Sequence, residues 1–108
     1  MIYEHRIYTP MPGKMPALLA RFRDHVIALM DKHRICHVGF WTTSIGEDST
    51  ALTSILAWDS LADRETKWAA FAADPEWIAV RDESERNGPI LLKASNQIMR
   101  PTDFSALK

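Results

Sequence analysis

Along this chain the hydrophobic period switches from two to about 3.6 and back, twice, in the order strand, helix, strand, strand, helix, strand. Few architectures accommodate that order within 108 residues. Residues 2–9 alternate and carry β-branched and aromatic types, which predicts a first strand. Thr9-Pro10-Met11-Pro12-Gly13 ends it, since two prolines cannot continue a ladder. Met15, Leu18, Leu19, Phe22, Val26, Leu29, Met30 and His33 then recur at three- and four-residue steps, the apolar stripe of a long helix. Arg21, Arg23, Asp24, Asp31 and Lys32 fall on its expected wet side, and His25 lies close to that side.

Residues 35–45 and 50–58 predict a hairpin joined by Gly46-Glu47-Asp48-Ser49. Ser60 stands where an N-cap belongs, three residues before Asp63. Leu61, Glu65, Trp68, Phe71 and Ala72 give the following helix its expected apolar stripe. Asp74 and Pro75 restart a helix as N-cap and first residue, and Asn87-Gly88-Pro89 closes it. Residues 90–100 form the last strand, with an irregular tail from 101. The order β-α-β-β-α-β predicts an α+β, ferredoxin-like fold with a four-stranded antiparallel sheet, strands one and three central, in a single domain over 1–108. Helices then cover one sheet face only. Four tryptophans and 46% hydrophobic residues are more apolar surface than a small monomer hides. A second copy laid on the bare face, giving a dimeric α/β barrel, is the expected solution.

The words that carry this order are Ile2-Tyr3-Glu4-His5-Arg6-Ile7-Tyr8-Thr9, Pro12-Gly13-Lys14, Val38-Gly39-Phe40-Trp41-Thr42-Thr43-Ser44-Ile45-Gly46, Trp58-Asp59-Ser60-Leu61 and Asp74-Pro75-Glu76-Trp77. In this order and spacing they resemble the NIPSNAP family, within the dimeric α/β-barrel superfamily. The resemblance implies a homodimer of ferredoxin-like subunits. It carries no agreed catalytic set. Related families include cofactor-independent monooxygenases, haem-degrading enzymes and isomerases, a fold-level analogy only.

Thirteen basic and 14 acidic residues, interspersed, leave a net charge of −1 and no basic block, so no nucleic-acid partner is expected. No apolar run reaches the roughly 20 residues of a membrane span. The lone Cys36 and a first segment that enters a strand at once, without a leader, predict a cytoplasmic protein.

Glu4, Arg6 and Tyr8 share one face of the first strand. A charge on a central strand needs a partner, either a structural ion pair or a bound anion or carbonyl. Trp41 and Trp58, on adjacent strands, are read as a cross-strand aromatic pair or as the wall of a pocket. Asn96 and Gln97 point to opposite faces, and a buried Asn96 amide could orient a ligand. The candidate ligand-binding residues are therefore Arg6, Tyr8, Trp41, Trp58 and Asn96, around a small organic molecule between sheet and helices. His5 and His37 are the candidates for acid–base work or haem ligation. His33, Cys36 and His37 match no zinc spacing, so neither a metal nor another cofactor is expected. Three functions stay open: a small-molecule enzyme of the monooxygenase or isomerase kind, a non-catalytic dimeric binding protein, and a haem-binding protein.

Overall fold

The computed structural model describes residues 1–108. β1 spans Ile2–Pro10, and a kinked helical arm follows as α1 (Met15–Arg21), a π-helical turn (Phe22–Val26) and α2 (Ile27–Lys32). β2 (Cys36–Thr42) and β3 (Leu52–Trp58) precede α3 (Leu61–Ala73) and α4 (Pro75–Ser84), and β4 (Leu91–Met99) is last. The four strands form one antiparallel sheet in the order β2-β3-β1-β4, the ferredoxin-like arrangement expected from the sequence. No helix is long and apolar enough to cross a membrane.

Local chemistry sets the boundaries. Ser60 Oγ accepts from the Asp63 N–H at 3.0 Å and starts α3. Asp74 Oδ1 accepts from the Glu76 N–H at 2.9 Å and starts α4, with Pro75 at its first position. The π turn is closed by the Ile27 N–H bonding back to the Phe22 carbonyl. It keeps Phe22, Val26, Leu29 and Met30 all facing inward. Two expectations change. Leu61 and Glu65 are exposed, and the inward side of α3 is Arg64, Trp68 and Phe71. Arg21, expected on the wet side, is buried where α4 packs against α1.

The core lies between the helices and one sheet face: Leu18, Phe22, Val26, Leu29 and Met30 meet Tyr8, Leu52, Leu56 and Trp58. The opposite face carries His5, Ile7, Ile55, Ser95 and Gln97, and only the tail after Met99 returns to it, beside Tyr3, Ile55 and Met99. The molecule is a slab of 46 × 36 × 19 Å, two layers deep. β4 is an edge strand whose central seven residues are exposed on both sides, with Leu92 at 60%.

A buried carboxylate and the residues around it

The period of two on β1 sends Glu4, Arg6 and Tyr8 toward the helices, as the sequence requires. Glu4 is fully buried, at 0% exposure. Its Oε2 accepts from Arg6 Nη1 at 2.8 Å, Asn96 Nδ2 at 2.8 Å and Arg64 Nη2 at 3.0 Å. Its Oε1 accepts from Arg64 Nε at 2.8 Å and from the indole of Trp58 at 3.0 Å. Arg64 therefore grips the carboxylate with two parallel bonds. Burial alone pushes this carboxyl up. The bonds from Arg64, Asn96 and Arg6, with the Arg6 charge, outweigh it and hold the group at about 2, against an ordinary 4.5.

Arg6 is committed as fully. Its Nε donates to the Tyr8 hydroxyl at 2.8 Å, and its guanidinium lies 4.7 Å from the Trp68 ring centre and 5.3 Å from that of Tyr8. Trp68 in turn meets Trp58 edge-on and stacks on Phe71. The assembly draws on β1, β3, β4 and α3, so it locks helix to sheet. A carboxylate held ionised by five donors is a poor proton acceptor, and no sizeable cavity opens onto Glu4, Arg6, Tyr8 or Trp58.

Of the residues singled out in the sequence, Arg6, Tyr8, Trp58 and Asn96 are brought together here. Trp41 is not. An extra residue in β2, between His37 and Gly39, shifts the register so that Trp41 opposes Thr53 instead of Leu52. That shift turns Trp41 to the open sheet face, 50% exposed, while Trp58 points to the helices. The two tryptophans therefore form no pair and line no common pocket. Trp41 folds back over Gly39, where a Cβ would meet its ring at 2.6 Å.

The two histidines separate as well. His5 lies on the open face beside Gln97, in a shallow groove shared with Ile7 and Ser95. His37 lies toward the helices at the sheet edge, 3.1 Å from Asp31 and close to the Phe40 ring. His33 turns to Asp74 at 2.7 Å and Cys36 is exposed, so the three soft ligands do not converge. Sequence reasoning placed Trp68 on the apolar stripe of its helix, where it packs against the core, but missed Arg64 four residues before it. That step on a helix that must face the sheet was the available signal.

The NIPSNAP family model matches residues 3–106. A NIPSNAP family protein of unknown function from Agrobacterium tumefaciens is 33% identical, covering 100% of this chain and 94% of that one, with a TM-score of 0.87. A second NIPSNAP family protein from that organism is 31% identical over 99% and 98% of the two chains, also at 0.87. A putative antibiotic biosynthesis monooxygenase from Nitrosomonas europaea, 12% identical over 94% and 98% with a TM-score of 0.63, shares the fold. No curated protein matches.

Proposed function

The chain belongs to the NIPSNAP family, and from that premise we propose that it works as a homodimeric, non-catalytic binding protein, two copies closing over each other's bare sheet faces. The accessible surface carries the dimer. A compact monomer of 12.3 kDa exposes about 6,100 Å². This chain exposes 6901 Å². The excess, about 800 Å², reflects a thin slab with one sheet face open, the face a partner would cover, and its protruding loop and tail residues Ile45 and Phe104. The open face offers suitable chemistry for it, with Trp41 among the exposed apolar groups and Ile7 and Ile55 half-buried.

Binding is favoured over turnover by the state of the Glu4 cluster. An oxygenase or isomerase acting through Arg6, Tyr8, Trp58 and Asn96 would need these groups turned toward a substrate, and they are turned toward one another. Haem ligation by His5 or His37 has less support still, since one faces a shallow groove and the other an aspartate. A reducing cytoplasm suits the exposed thiol of Cys36. Light scattering at micromolar concentration should give twice the 12.3 kDa chain mass, and Trp41→Glu should return it to that of one chain. A wild-type monomer under those conditions overturns the reading.

A further inference from the structure

Between α1 and α4 runs a cleft of about 560 Å³, bedded by Ala17, Ala20 and Ala79 and floored by Ile90. Small-molecule sites occupy about 300–1,000 Å³. The π turn ends against this cleft, with Asp24 and His25 along its margin. Such turns accompany functional positions in helices more often than chance would place them there.

Arg21 stands in the cleft wall with 6% of its surface exposed. Its Nη1 reaches Ser84 Oγ at 3.3 Å and Glu85 Oε1 at 3.9 Å. The first is long for a charged donor, and the second lies beyond hydrogen-bond reach. Nε is buried without a partner, and Nη2 has no protein acceptor. The Trp77 ring, 5.3 Å away, accommodates a cation without neutralising it. Burial pushes this guanidinium below its ordinary value, with Glu85 and Tyr8 offsetting part of the effect. An arginine stays charged regardless, so the cation lacks a full counter-ion. Arg6 in the same chain is met at 2.8 Å by both Glu4 and Tyr8. Arg64 is likewise met by Glu4, so among the guanidinium groups drawn into the interior the incomplete pairing is Arg21's alone.

The geometry points to a binding site for a small organic monocarboxylate, its carboxylate on the terminal nitrogens of Arg21 and its apolar body along Ala17, Ala20, Ala79 and Ile90. Exposed Asp24 and Glu83 at the margin repel any anion, and a second negative charge would meet them with no cation of its own in the cleft lining, since Arg21 is the one cation there. This assignment rests on the chain being a binding protein, and it needs no second subunit.

The test is a titration of hexanoate into ¹⁵N-labelled protein at neutral pH, with hexanamide, hexanol and succinate as comparisons. Saturable amide shifts are expected over residues 17–26 and 79–84, with hexanamide, hexanol and succinate at least about tenfold weaker. Arg21→Met should abolish the shifts. Glu85→Gln removes the competing carboxylate and should tighten binding several-fold, which keeps the test decisive should Arg21→Met fail to fold. Hexanol or hexanamide binding as well as hexanoate overturns recognition by charge. Shifts centred elsewhere, no saturation within the solubility of hexanoate, or an unchanged affinity in Glu85→Gln overturns the site. Light scattering on the same samples separates the two readings, because a dimer indifferent to hexanoate refutes the cleft alone.

Discussion

Replacing Glu4 by glutamine tests how the helical layer is fastened to the sheet. The substitution keeps the shape, removes the charge and turns an amide N–H₂ toward donors. Arg6 and Arg64 would lose their shared anion. They retain 13% and 25% side-chain exposure, so water would relieve part of the cost. Breaking one partner of a buried pair costs about 3–5 kcal/mol, and partial hydration favours the lower end. The carboxyl's position leads to the same place: held at about 2 against 4.5, it corresponds to about 3 kcal/mol. Because the folded value is the lower one, this stability is fully present above pH 4.5 and fades as pH falls toward 2. Urea titrations of both proteins from pH 7 to pH 2 read the outcome. The gap between wild type and Glu4→Gln should be about 3 kcal/mol at neutral pH and shrink steadily below pH 4.5. A gap under about 1 kcal/mol, or one that does not change with pH, would refute the anchored carboxylate.

Three further substitutions probe other parts of the argument. Asp74→Ala removes the α4 N-cap and the acceptor of Lys32 and His33, both within 2.8 Å. Differential scanning calorimetry should show a melting temperature lower by about 4–8 °C or more, with the fold retained. Ser54 is fully buried on the central strand β3 and its hydroxyl has no partner. Ser54→Ala should therefore be neutral or raise stability by up to about 1 kcal/mol in chemical denaturation, and a clear loss would mean an unrecognised acceptor. Gly39→Ala places a methyl where the Trp41 ring now lies, so tryptophan fluorescence should shift to the red and, if the sheet faces meet as proposed, dimer affinity should fall.

The alternation of β1 was enough to put Glu4, Arg6 and Tyr8 on one face, and the sequence of periods was enough for the sheet order. Arg64 was not legible in the same way. The stripe drawn through Leu61, Glu65, Trp68, Phe71 and Ala72 passed over a guanidinium whose charge is met only after the sheet arrives. Arg21 escaped for a related reason, since only the packing of α4 decides that this position is dry. Trp41 failed differently. A single extra residue in β2 reverses every side chain beyond it, and nothing in Val38-Gly39-Phe40 announces that insertion. The π turn is equally silent, because Phe22 and Val26 keep the four-residue spacing of an ordinary helix.

The strand order has a bearing on synthesis. β1 leaves the ribosome before the other three strands of the sheet, yet of its two neighbours one is β3 and the other is β4, the last of the four. A nascent chain that has emerged only as far as α4 can pair β1 with β3, while the side reserved for β4 stays unpaired. The Glu4 carboxylate then already has Trp58, Arg6 and Arg64 but still awaits Asn96. For that interval the open backbone of β1 is a template for any extended segment nearby, including the β4 of another nascent chain on the same polysome. Chains translated close together thus have an opportunity to exchange their last strand, and the rate at which residues 85–99 are translated sets how long it lasts.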